Sequence, residues 1–237
     1  MTRAEPGATE TAKRIEALGL RAVIAPMLEI EPLPAPELGD AAIQAVCFTS
    51  QNGVRTFAQA YRHRPQALCV GAATAEAAAA AGFDPIWSAE GDVDALATLA
   101  LARLDPSFGR VVHAAGEARV GDLAGRLHSA GFQAQTVTLY AAHPAETFSE
   151  RVREALVRGE IAAVLGHSKR GLARFVALYR NWRQAADLPR PAAICISPRV
   201  AEAADPAVFA QVRIAEHPDE TALLARLSDG EPRQSDA

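Results

Sequence analysis

Val46–Arg62, VCFTSQNGVRTFAQAYR, aligns without a gap on Val164–Arg180, VLGHSKRGLARFVALYR. Val46, Ser50, Gly53, Phe57, Tyr61 and Arg62 fall on Val164, Ser168, Gly171, Phe175, Tyr179 and Arg180. Each copy opens on a short apolar run, passes through small polar residues, and then sets apolar side chains at helical spacing. That pattern reads as strand, turn and helix. Working outward, Cys69–Ala78 (CVGAATAEAA) aligns on Cys195–Ala204 (CISPRVAEAA). A weaker block sets Arg3–Glu29 against Ala115–Ala141, matching Glu5, Arg14 and Gly19 to Glu117, Arg126 and Gly131. Abundant alanine inflates any single match, but three blocks in one order in both halves define a duplicated α/β unit, roughly residues 1–105 and 110–228.

The rest of the chain fits that unit. Strands are expected at Ala22–Ala25, Ala45–Phe48, Ala67–Val70, Arg110–His113, Ala134–Tyr140, Ile161–Leu165 and Ala192–Ile196, with helical patterns between them. Several helices end at a glycine (Gly19, Gly82, Gly131 and Gly159), where a left-handed cap residue belongs. Such alternation implies a mostly parallel sheet covered by helices on both faces. Pro26, Pro32, Pro34 and Pro36 make Pro26–Asp40 an extended connector, and a second break falls near Pro144. The second unit has a strand before its Gly116–Glu117 turn, whereas only Met1 and Thr2 precede Arg3. The expectation is that the natural chain begins upstream or that one lobe lacks a full strand. The small polar tail from Ser228 is expected to be disordered.

Composition narrows the function. A net charge of −4 is the wrong balance for a nucleic-acid binder, whose phosphate partner asks for a basic face. No stretch approaches the ~20 apolar residues of a membrane span. Cys47, Cys69 and Cys195 lie singly in apolar runs, as reduced thiols of a cytoplasmic protein do, and fit no disulfide framework. The six histidines show no metal-ligand spacing, so no metal is expected. Phosphate loops of the GxxxxGK[ST] and GxGxxG kinds and the GxSxG elbow are missing from the sequence.

In open parallel sheets ligands bind beyond the carboxyl ends of the strands, where helix N-termini offer N–H groups. Here those ends carry Thr49, Ser50 and Asn52; Gly71 and Thr74; Gly116, Glu117 and Arg119; His167, Ser168 and Lys169; and Ser197 and Arg199. With Arg3 they form a surface suited to a multi-carboxylate or phosphate ligand. Ser50 and Ser168 also read as plain helix caps, worth about 1 kcal/mol each. His167 reads first as a solvated or helix-start histidine, and Tyr61 and Tyr179 read as core or lobe-edge residues.

These pieces together resemble the uroporphyrinogen-III synthase family. The likeness rests on TRAEPGA (Thr2–Ala8), APMLEIEPLP (Ala25–Pro34), FTSQNGVRTF (Phe48–Phe57), VGAATAEAA (Val70–Ala78) and AGEARVGDLAGRL (Ala115–Leu127). VTLYAA (Val137–Ala142), ISPRVAEAA (Ile196–Ala204) and PDETALLARL (Pro218–Leu227) complete it. Each piece is short; their order and spacing carry the match. The resemblance implies two flavodoxin-like lobes with parallel sheets joined by two extended crossings, 1–33 plus 145–228 forming one and 37–141 the other. The ligand cleft would lie between them. It implies cofactor-independent cyclisation of hydroxymethylbilane, a linear tetrapyrrole with eight carboxylates, to uroporphyrinogen III by loss of water and inversion of the last ring. The enzyme would be a lyase of heme and tetrapyrrole biosynthesis, working as a monomer. The family's tyrosine at the second crossing falls on Tyr140, as a general acid or hydrogen-bond donor. Where many relatives carry a Ser-Pro turn, this chain has Gly166-His167-Ser168-Lys169. A catalytically inactive synthase-like protein, or a two-lobe binding protein for an anionic small molecule, is the competing reading.

Overall fold

The computed structural model describes residues 1–39, 42–119, 121–183 and 188–228. The stretch 229–237, expected above as a disordered tail, lies outside them. In chain order the first elements are α1 (Gly7–Ala17), β1 (Leu28–Pro32), β2 (Ile43–Phe48), α2 (Gln51–Ala60), β3 (Gln66–Cys69) and α3 (Ala72–Ala80). Then come β4 (Ile86–Ser88), α4 (Val93–Arg103), β5 (Arg110–Gly116), α5 (Leu123–Ser129) and β6 (Gln133–Pro144). The last are α6 (Glu150–Val157), β7 (Ala163–Gly166), α7 (Lys169–Arg183), β8 (Ala192–Cys195), α8 (Pro198–Ala201), β9 (Gln211–Ile214) and α9 (Glu220–Ala225). The chain is an α/β protein whose sheets are mostly parallel.

Two compact units form, Ile30–Ala142 and the pair of segments Met1–Glu29 and His143 onward. The sheet that runs through the first has the order β1-β6-β5-β2-β3-β4. Its inner strand β2 is buried on both faces, which is why IQAVCF is nearly continuous in apolar residues. Val46 and Phe48 pack on one face with Phe57, Phe83 and Val112, while Ala45 and Cys47 pack on the other with Leu68, Leu96, Leu123 and Leu127. Phe48 meets Phe57 and Phe83 edge-on at 5.8 and 5.1 Å between ring centres, a favoured aromatic geometry.

The second unit repeats this logic on the sheet β7-β8-β9. Ala193 and Cys195 of β8 face Phe148, Phe175, Tyr179 and Phe209, and Ile194 faces Met1, Ile15, Leu165, Leu223 and Leu224. Met1–Arg3 runs beside β7, with the Thr2 hydroxyl donating to Leu165 O at 2.7 Å. Its other side carries bonds from the Ala25 and Met27 N–H groups to Met1 and Thr2 O, at 2.8 and 3.1 Å.

Two sequence expectations need correction. Ala22–Ala25 forms no strand, because its partner stretch turns away into α1 after Arg3 and the ladder stops. The extended connector carries β1 at the edge of the sheet, where a missing N–H is tolerated. The edge strands β4 and β9 carried no apolar run to announce them; β9 (QVRI) is largely exposed. The four helix-end glycines do take positive φ, between +67 and +89°. All three cysteines are free and buried. Burial pushes Cys47 and Cys69 up to about 12, with Cys69 adding to the effect at Cys47, and burial pushes Cys195 up to about 11. Tyr179 is fully buried and donates to Pro189 O at 2.7 Å, while Tyr61 is half-buried and donates to Pro36 O at 2.6 Å.

Phe48→Ala removes a ring buried on all sides and should cost about 3–5 kcal/mol, read as a lowered midpoint in chemical denaturation.

Candidate active site

The unit containing β2 gathers its polar residues at the carboxyl ends of three neighbouring strands. Ser50 follows β2 and caps α2, its Oγ accepting the Gly53 N–H at 3.0 Å. The same Oγ lies 2.9 Å from the Tyr140 hydroxyl. Tyr140 belongs to β6, two strands away in the order β6-β5-β2, so its ring has to pass over the end of β5. A bulge makes this possible. β5 and β6 pair in step until Ala115↔Thr138, after which Gly116 is opposite Tyr140 rather than Leu139. The extra residue re-aims the side chain. Gly116 then supplies the space: a Cβ there would stand 2.7 Å from Cε2 and Cζ of the Tyr140 ring. The Glu117 N–H donates to Tyr140 O at 2.9 Å and ties the bulge down.

Around this pair, Thr49 lies 3.5 Å from His113 Nε2, and Thr136 stands 3.4 Å from the other ring nitrogen. His113 is buried in β5; burial, with the charge of Arg119, pushes it down to about 4 although Asp122 pulls the other way. It is therefore a neutral wall at physiological pH. Asn52 is half-buried in the first turn of α2. Gly71 caps α3 with open space around it, and Thr74 is buried in the first turn of that helix. Glu117 and Arg119 are exposed, the latter 3.4 Å from the Thr138 hydroxyl.

The other unit brings Arg3 and His167 together, with two residues that the sequence reading missed. Arg3 donates to Glu220 at 2.8 Å and to Thr11 at 3.3 Å, and Thr11 also bonds Glu220. Arg3 and Glu220 side chains are each only 16% exposed. Burial opposes the charge of Glu220, but His167, Thr11 and Arg3 outweigh it and hold the carboxyl at about 2. His167 Nε2 is 3.7 Å from Glu220, too long for a hydrogen bond, and burial followed by the Arg3 charge depresses its pKa against the pull of Glu220. Arg3 and Thr11 therefore bond Glu220 directly, and His167 acts on it at longer range. Arg3, expected to take a ligand carboxylate, is engaged by this internal one. Ser168 repeats the cap of Ser50, accepting the Gly171 N–H at 3.1 Å. Lys169 is paired with Glu202 at 2.5 Å, Ser197 starts α8, and Arg199 is exposed on its first turn. Glu220 stood in the quoted PDETALLARL motif, where an acid in a first helical turn reads as dipole complement.

Residues 9–225 match the family model of uroporphyrinogen-III synthase HemD, and the chain belongs to that family. The structure is similar to the crystal structure of uroporphyrinogen-III synthetase from Helicobacter pylori, at 16% identity and a TM-score of 0.61, over 86% of this chain and 91% of that one. It is similar also to a mutant uroporphyrinogen III synthase from the extreme thermophile Thermus thermophilus, at 18% identity and a TM-score of 0.50, over 93% of each chain. These identities speak for the fold. No curated protein matches the chain significantly in sequence. Among the described residues no helix is long and apolar enough to cross a membrane.

Glu220 makes a pH prediction. Its folded value, about 2, lies below its ordinary 4.5. Its stabilisation is therefore complete above about pH 4.5 and is lost as the pH falls towards 2. Glu220→Gln should lower stability at pH 7 by on the order of 2 kcal/mol. It should also flatten the acid limb of stability against pH, followed by urea denaturation between pH 7 and 2.

Proposed function

We propose that the chain converts hydroxymethylbilane to uroporphyrinogen III without a cofactor, using Tyr140 to assist loss of the terminal hydroxyl. In a chain of this family, the observation that carries the reading is the meeting of the Tyr140 and Ser50 hydroxyls at 2.9 Å, at the carboxyl ends of parallel strands. The leaving oxygen takes a proton from Tyr140 as its C–O bond breaks. The pyrrole nitrogen supplies electrons and an azafulvene forms. Ring closure through a spiro intermediate inverts the last ring, and the proton shed by the rings returns to Tyr140, so that the net change is the loss of one water. Pyrrole electrons drive the departure, so the protein's task is to hold one conformation of a flexible chain and to stabilise the developing charge.

In this reading Thr49, Asn52, Gly71, Thr74, Glu117 and Arg119 contact substrate from the unit that holds Tyr140, and Gly116 supports the tyrosine ring. His167, Ser168, Lys169, Ser197 and Arg199 take part from the other. Helix starts at α2 and α3 supply N–H donors for carboxylates. Arg3 takes part when it exchanges Glu220 for a substrate carboxylate. The two units read as duplicated flavodoxin-like lobes joined by two crossings, which the matching caps of Ser50 and Ser168 support. The chain is read as working as a monomer, and three buried free thiols suit the cytoplasm.

Supplied with fresh hydroxymethylbilane, the protein should yield isomer III by chromatography; isomer I alone from folded protein overturns the activity. Tyr140→Phe should slow turnover by roughly 100-fold or more, the range of a general acid, and an unchanged rate removes Tyr140 from the mechanism.

A further inference from the structure

We propose that Ser50 and Gly116 are positioning residues for Tyr140, fixing the direction in which its hydroxyl gives its proton; this rests on the reading of Tyr140 above. Three independent features of the backbone converge on that hydroxyl. The bulge between Ala115 and Gly116 puts Tyr140, rather than Leu139, opposite the last residue of β5. Gly116 leaves the ring room to lie across that strand end, since a Cβ would meet Cε2 and Cζ at 2.7 Å and the hydroxyl at 3.1 Å. Ser50 then receives the ring's far end at 2.9 Å.

Either oxygen can donate in the Ser50–Tyr140 bond, and the donor is assigned to Ser50 from what else that residue does. Its Oγ accepts the Gly53 N–H at 3.0 Å, at the positive end of α2. A hydroxyl oxygen that has taken an N–H still has its own O–H to give. Given to Tyr140, it makes the tyrosine oxygen an acceptor and leaves the tyrosine proton free for a third group. That is the arrangement a general acid requires. As the proton passes to the departing oxygen, the charge left on Tyr140 meets a donor already in place, so no reorganisation accompanies the step. Reversed, the bond would spend the Tyr140 proton on Ser50. Ser50 thus acts through Tyr140 and not on substrate, and Gly116 is space kept for a ring rather than a contact for a ligand.

The test compares Ser50→Ala, Ser50→Thr and Gly116→Ala in the wild-type and Tyr140→Phe backgrounds, with thermal melts to establish folding. Ser50→Ala and Gly116→Ala should lower kcat by roughly 10- to 100-fold, the scale on which misplacing a catalytic group by about an ångström acts, with KM unchanged. Ser50→Thr, which keeps the hydroxyl on an extended backbone, should restore most of the rate. On Tyr140→Phe, neither change should cost more. A readout apart from activity comes from replacing the three tyrosines with 3-fluorotyrosine. The fluorine resonance lost in Tyr140→Phe should shift in Ser50→Ala and Gly116→Ala, while those of Tyr61 and Tyr179 stay. If Tyr140→Phe is slow and Ser50→Ala costs it the same factor as it costs wild type, the positioning inference fails alone. If the Tyr140 resonance ignores both variants, it fails likewise. If Tyr140→Phe turns over at the wild-type rate, the reading of Tyr140 fails and takes this inference with it.

Discussion

A parallel strand buried on both faces can present polar chemistry only where it ends, and the structure is organised around that constraint. β2 alternates Val46 and Phe48 against one helical layer with Ala45 and Cys47 against the other. Thr49 and Ser50 come immediately after Phe48, the last core residue of the strand. The turn that ends the strand also begins α2, and Ser50 satisfies one of that helix's open N–H groups. Packing, capping and chemistry therefore fall on one residue, because all three are set by the point at which the strand leaves the core.

The two units use this constraint differently. Around β5 and β6 the strand ends meet hydroxyl to hydroxyl, with His113 kept neutral behind them. In the unit built on β7 and β8, an ion pair between Arg3 and Glu220 occupies the comparable level, with Thr11 completing it. The first arrangement leaves a proton to move. The second holds fixed charge, and a partly buried pair broken on one side leaves the other partner unsatisfied.

What could be read from the sequence follows burial. β2, β7 and β8 are continuous or nearly continuous apolar runs, and the positive-φ glycines closed their helices where expected. Edge strands escaped because an edge needs neither apolar faces nor a full set of N–H donors, as Pro32 in β1 and Arg213 in β9 show. Single site residues such as Ser50 and Tyr140 were visible as strand-end and motif residues. Their contact was not, since it joins positions 90 apart and depends on sheet order plus one extra residue in β6. Glu220 was hidden for a related reason: its partners, Arg3 and Thr11, stand 217 and 209 residues away.

The division of the chain into a continuous unit and a discontinuous one has a consequence for how it comes into being. Synthesis proceeds from the amino end, so Ile30–Ala142 is complete before any of the segment from His143 onward exists. Met1 and Ile15 belong to a core whose other members are Leu165, Ile194, Leu223 and Leu224. The opening residues therefore spend most of translation without their partners, while the intervening unit can already collapse. The unit that holds Tyr140 is complete in the chain first, and the one closed by Arg3 and Glu220 has to wait for α9, 217 residues after Arg3.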